Sequence, residues 1–215
     1  MLRTAVLGVG LLCCGYGALA WLTHDFQVWT QEDARRLEVA LTPVALPSVA
    51  VDGTGGAAGD LRALLAQGGG VTIADFIYTR CQTVCLSLGS SFQQLQAQLR
   101  ADREGAKPVR VRLLSISFDG QRDDPQALAA YARGQGADPS LWRFVRVPDE
   151  AQQQALLLRL GVVVVPNGRG DYEHNAALLV FDAQGRMLRV FDMEQQQLAL
   201  DYARHKAGAA LEAAP

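Results

Sequence analysis

Several things are scarce in this sequence. Basic residues are not in surplus: 20 Lys and Arg stand against 22 Asp and Glu, a net charge of −2 over 215 residues. With no positive excess to neutralise phosphates, nucleic acid is excluded as a main partner. No long run of like charge occurs, so the charges read as solvated faces. Histidine is limited to three residues and cysteine to four. Two of those cysteines, Cys13 and Cys14, fall in a hydrophobic N-terminus, which leaves Cys81 and Cys85 for the body. A disulfide framework is therefore not what holds the fold, and a chain of this length can bury a sufficient core without one. No internal repeat is visible.

Charge is also missing from the N-terminus. Arg3 is followed by an uncharged stretch from Thr4 to Leu22. As a helix rising about 1.5 Å per residue, it matches roughly the hydrocarbon thickness of a bilayer. Residues 1–22 are thus expected to be a transmembrane anchor, with Arg3 on the cytoplasmic side, Trp21 at the far interface and the body exported. The small residues Ala18 to Ala20 also fit a cleaved signal segment. Both readings place the body outside the cytoplasm, as in a periplasm.

Residues 23–40 read as a polar juxtamembrane connector, with Thr30, Glu32 and Asp33 arranged as a helix start. From residue 41 to 211 the pattern is that of one α/β domain. "VTIADFIYT", Val71–Thr79, is apolar on both parities and predicts a central strand covered on both faces. Leu88, Phe92, Leu95 and Leu99 then recur at helical spacing. "VRVRLLSISF" predicts a second strand, and Asp124-Pro125 opens another helix. "LWRFVRVP" predicts a short strand, "DEAQQQALLLRLG" a helix ending at Gly161, and "AALLVFDAQGRMLRVFD" a hairpin. A last helix follows from Glu194. The order of these elements is that of a thioredoxin-like fold, a central mixed sheet flanked by helices.

Cys81 and Cys85 fall where the central strand gives way to a helix. Unpaired N–H groups and the partial positive charge of a helix start favour thiolate over thiol. Thiolate is the form that exchanges disulfides and also the form that binds metal. Two buried cysteines used only for packing is the bland alternative. A metal needs a further ligand. His24 lies beside the hydrophobic segment and His205 on a C-terminal helix, both read as surface residues. His174, in "GDYEHNAALLVFD", precedes a strand that a thioredoxin-like sheet places beside the cysteine helix. Two thiolates and one imidazole form a soft set that suits copper, since structural zinc takes four protein ligands. Metal binding and thiol–disulfide exchange both remain open on these residues, and peroxide chemistry at one cysteine has no distinctive support.

With those residues in place, the chain resembles the Sco/SenC family of copper chaperones over roughly residues 41–200. "FIYTRCQTVC" resembles the family's strand and CxxxC. "LLSISFDGQRDDPQALAAYARGQGADPSLWRF" resembles its strand, Asp-rich loop and helix. "DYEHNAALLVFDAQGRM" resembles its histidine loop and hairpin. The resemblance implies a membrane-anchored, periplasmic copper chaperone in which Cys81, Cys85 and His174 hold one copper ion, Cu(I) or Cu(II). It implies receipt of copper from an upstream donor and delivery to the copper-site subunit of a respiratory oxidase during assembly. It also keeps a thiol–disulfide role, with Cys81 attacking and Cys85 resolving, on that oxidase or on other exported proteins. Asp119 and Asp123 fall on the Asp-rich loop, as site support or as capping and loop solvation. The chain departs from the family's pattern at Gln82 and Leu86, where prolines are common, and at Glu173 and Asn175, which flank the histidine.

Overall fold

The structure is a computed structural model that describes residues 2–26, 28–67, 69–80, 84–105, 110–168 and 171–212. The chain divides into two compact units, residues 1–42 and 43–215.

In the first unit, α1 (Leu2–Leu22) is uncharged after Arg3. Three left-handed residues, His24, Asp25 and Phe26, follow it and turn the chain. Among the described residues no helix is long and apolar enough to cross a membrane, so the span expected over residues 4–22 stands as an apolar helix only. Its large side chains, Leu7, Leu11, Leu12 and Trp21 among them, are nevertheless exposed. The expected helix start is present: α2 (Gln31–Leu41) opens on a capping box in which the Thr30 hydroxyl accepts from the Asp33 N–H and the Asp33 carboxylate accepts from the Thr30 N–H.

The second unit is a mixed α/β body. It begins with β1 (Val44–Ala45), β2 (Ala50–Gly53) and β3 (Ala58–Asp60), then α3 (Leu61–Ala66), which Asp60 caps. Next come β4 (Val71–Ile77), α4 (Val84–Glu104), β5 (Val111–Ser117), α5 (Pro125–Gly134), β6 (Trp142–Arg146) and α6 (Glu150–Leu160). The chain continues through β7 (Val164–Pro166), β8 (Tyr172–His174), β9 (Ala177–Phe181) and β10 (Arg186–Asp192) to α7 (Gln196–Glu212).

Eight strands form one sheet in the order β1-β10-β9-β4-β5-β6-β2-β3. The pairs β4–β5 and β5–β6 are parallel, as two strand–helix–strand crossovers require, and the other pairs are antiparallel. All seven residues of β4 are buried, in keeping with a strand that is apolar on both parities. One face packs α4 through Phe92, Leu95 and Leu99. Trp142 of β6 meets Phe92 there, with ring centroids 5.3 Å apart. β7 and β8 form a separate two-stranded arm, paired Val164↔His174 to Pro166↔Tyr172. That arm carries the candidate histidine.

Candidate metal centre

The cysteine motif grows out of the end of β4. Cys81, Gln82 and Thr83 lie outside the described residues, as do the side chains of Cys85 and Leu86. The backbone at position 85 belongs to the first turn of α4, which begins at Val84. Its flanking support is well defined. Asp123 is 1% exposed and holds the chain two residues before Cys81. Its carboxylate accepts from the Thr79 N–H at 2.9 Å, the Thr79 hydroxyl at 2.6 Å and the Ser117 hydroxyl at 2.6 Å.

Capping and loop solvation were the other reading of the two acidic loop residues, and neither describes Asp123. The capping task belongs to Asp124, which accepts from Ala127 N–H at the start of α5. Asp119 instead pairs with Arg122 at 2.7 Å. Asp123→Ala should strand the Thr79 N–H and Ser117 hydroxyl in a buried place, at about 1–3 kcal/mol for each group left unpaired. A loss of that order in denaturant-induced unfolding checks it; an unfolding midpoint equal to wild type would contradict the support role.

His174 is the last residue of β8 and is partly buried. The expected loop position is corrected to a short strand, because the turn before it lets residues 172–174 pair with 164–166. A stack of rings carries the arm towards the cysteine strand. The His174 ring lies edge-on to Phe118, with centroids 5.0 Å apart. Phe118 meets Tyr172 at 5.5 Å and Tyr78 at 5.1 Å, and Tyr78 meets Tyr172 at 5.3 Å. The Tyr78 hydroxyl also donates to the Asp171 carboxylate. Tyr78 is three residues before Cys81 and Asp171 three before His174, so the arm is tied to the strand that delivers the cysteines.

Burial pushes the His174 imidazole below its usual range, opposed by a hydrogen bond with the backbone of Asn175. The neutral ring, which has a lone pair for a metal, is thereby favoured. Sequence reasoning treated Asn175 only as a departure, yet it locks the arm. Its amide donates to the Gly161 carbonyl at 2.9 Å, and its side-chain oxygen accepts from the Val163 N–H at 2.7 Å. Arg122 adds a second tie, donating to the Tyr172 hydroxyl at 2.5 Å while it pairs with Asp119. Both contacts are long-range, so local pattern carries no signal of them. Beside the arm opens a cleft of about 660 Å³, lined by Phe118, Arg122, Leu157, Val164 and Tyr172 among others.

Among the described residues no group of three or more His, Cys, Asp or Glu is placed to hold a metal ion. His24 and His205 belong to other parts of the chain, α1's end and α7. The structure thus brings together the His174 arm, the Asp123 brace and the strand that leads into CxxxC.

A cysteine helix following the central strand of a mixed sheet, with a histidine arm tied to that strand, defines the class as thioredoxin-like with an added arm. Within that class the chain belongs to the SCO1/SenC family, whose model matches residues 58–205. It is 27% identical over 126 residues to the SCO1 protein homolog of Bacillus subtilis (strain 168), an alignment covering 58% of this chain and 63% of that relative. BsSco, described as a member of the Sco family of cytochrome c oxidase assembly proteins with a disulfide switch, superposes with a TM-score of 0.64 at 20% identity. That superposition covers 80% of this chain and 96% of BsSco. Bradyrhizobium japonicum ScoI with copper bound gives a TM-score of 0.58 at 23% identity, covering 74% of this chain and 99% of ScoI. At these identities the structural likeness shows the fold. Sco proteins of known structure have been solved with copper in place.

Proposed function

We propose that this protein is a copper chaperone in which Cys81, Cys85 and His174 hold one copper ion and pass it to the copper-site subunit of a respiratory oxidase. The observation that carries this reading is the tie between the two halves of the ligand set. The ring stack and the Tyr78–Asp171 bond bring the His174 arm against the strand that ends at the cysteines. Two soft thiolates suit Cu(I), and a neutral imidazole completes a three-ligand set. A set that small leaves a position open to an incoming thiolate, which ligand exchange needs. Copper is cargo here, taken from an upstream donor. Family membership and the copper held by ScoI support the same assignment.

The exposed apolar side chains of α1 support attachment of the chain to a membrane surface, with the body exported. Titration of the reduced, metal-free chain should end at one copper per chain. Replacing both Cys81 and Cys85 by Ser should abolish that endpoint; an unchanged endpoint would sink the assignment.

Thiol–disulfide exchange by the same cysteines is a second reading, favoured by the disulfide switch described for BsSco. Failure of the reduced protein to reduce any disulfide would remove it.

A further inference from the structure

Three arginines outside the candidate metal centre converge at the other end of the sheet. β4, β5 and β6 run parallel, so their amino ends lie together, away from the carboxyl end of β4 that leads into Cys81. Arg112 is the second residue of β5 and Arg143 the second of β6. Five strand residues, roughly 16 Å, separate Arg112 from Ser117, which the Asp123 brace holds.

The register sets Leu114 opposite Arg143, and Arg112 shares the parity of Leu114, so both arginines rise from one face of the sheet. The opposite face carries Trp142, which packs on Phe92 of α4. The end of α3 meets the two arginines. Arg112 Nη2 donates to the Leu65 carbonyl at 2.8 Å, and Arg143 Nη1 donates to the Gln67 side-chain oxygen at 2.9 Å. Arg103, in the last turn of α4, donates to the Ser140 hydroxyl at 2.9 Å and to its carbonyl at 2.8 Å. A small pocket of about 30 Å³ opens between these elements, lined by Leu64, Leu65, Thr72, Arg112, Ser140 and Arg143 among others.

All of those acceptors are neutral, and among the described residues none of the three arginines forms an ion pair. Elsewhere the fold pairs its arginines: Arg122, Arg146, Arg186 and Arg204 each meet an aspartate. The acids close in sequence are already engaged. Asp102 pairs with Arg204, while Asp138 accepts from the Ser140 hydroxyl and pairs with Arg100. Burial, and then the charges of Arg143 and Arg103, push the Arg112 guanidinium below its usual range. Arginine does not give up its proton in a protein, so positive charge stands in excess in a partly dry place. Charge in such places is normally paired.

We propose that this pocket is an oxoanion site that takes a phosphate group, held by the guanidiniums of Arg103, Arg112 and Arg143. Guanidinium forks match phosphate oxygens two at a time, and such charge-assisted bonds are about twice as strong as neutral ones. One water-sized group needs about 10–15 Å³, so the pocket admits two oxygens of the anion and leaves the rest at the rim. A sugar or a base stays outside. Three cations also call for more than the single charge of a carboxylate, and a phosphate with one free end carries about two near neutral pH. Inorganic phosphate and the headgroup of phosphatidic acid share that chemistry. The site is independent of the copper ligands.

The first arm of the test titrates inorganic phosphate with the full-length protein in a phosphorus-free neutral detergent, read by the phosphorus NMR line width. Binding should saturate at one phosphate per chain, and acetate at equal ionic strength should not displace it. Arg103→Gln and Arg143→Gln both leave Arg112 on the Leu65 carbonyl. Each should weaken binding by about tenfold or more, the usual cost of a charge-assisted bond. Arg189→Gln removes the same charge from the exposed part of β10 and should stay within about twofold of wild type.

The second arm places the full-length protein in vesicles of phosphatidylcholine, with or without phosphatidic acid, and follows hydrogen exchange. If the headgroup is the source, phosphatidic acid should slow exchange in Leu64–Gln67 and Asp138–Arg143, and Arg143→Gln should abolish the effect. Phosphate binding in the first arm without that protection assigns the site to free phosphate. No saturable phosphate binding together with no such protection would overturn the proposal. So would equal phosphate affinity in wild type, Arg103→Gln and Arg143→Gln, or an equal loss in Arg189→Gln.

Discussion

His174→Ala is expected to lower Cu(II) affinity by more than about a hundredfold while leaving both thiols free to react. Loss of an outer partner of a metal ligand commonly costs ten- to a hundredfold, and loss of the ligand itself should exceed that. The imidazole is the harder donor of the set, so Cu(II) should suffer more than Cu(I), which two thiolates can hold. The fold should survive, because His174 ends a short arm whose register is also held by Asn175 and by the Tyr78–Asp171 bond. Competition with a chelator of known affinity, with Cu(II) absorption recorded, measures the change. A wild-type affinity and spectrum in the variant would remove His174 from the ligand set.

The second large effect concerns stability. Asp75 is pushed from an ordinary 3.8 to about 7 by burial, against the smaller opposing pull of Ser115. Below pH 3.8 the group is protonated in both folded and unfolded chains and costs nothing. As the pH rises through 7 the fold must hold an ionised carboxylate in its core, and the stability present at low pH is lost. The gap of about three pH units corresponds to roughly 4 kcal/mol. Asp75→Asn removes the titration. Relative to its own difference from wild type at pH 4, the variant should gain up to that amount by pH 8, about 10 °C in Tm for a domain of this size. Thermal unfolding of the two proteins at both values of pH gives the comparison. A difference between them that does not change with pH would contradict the buried ionisation.

Carboxylates elsewhere move the other way and leave this comparison clean, since both proteins share them. The Ser48 hydroxyl and backbone N–H groups hold Asp60 below its usual range. Hydrogen bonds from Ser140 do the same for Asp138. Their contribution is lost as the pH falls, the opposite sign from Asp75.

The parts of this fold that sequence reveals are those with a dense local pattern. β4 shows itself by apolar residues on both parities, α5 by Asp124-Pro125, and the β9–β10 hairpin by its turn. The pairing of the short strands escapes because it is decided at long range. β2 reaches β6 across more than ninety residues, and residues 172–174 pair as a strand only because 164–166 lie opposite. The candidate ligands were legible because cysteine and histidine are so few. Their supports were not: Asp123 under Thr79, Tyr78 on Asp171 and Asn175 on Gly161 join residues whose separation in sequence carries no pattern. Asp75 was visible only as one polar letter in an apolar strand. Its meaning comes from the burial that the sheet imposes on it.

X-ray absorption at the copper edge of the loaded, full-length protein tests the central claim most directly. Two sulfur neighbours and one imidazole nitrogen around the metal are expected, with the nitrogen lost in His174→Ala. A copper shell made only of nitrogen and oxygen, or one that keeps its imidazole in that variant, would contradict the assignment of Cys81, Cys85 and His174.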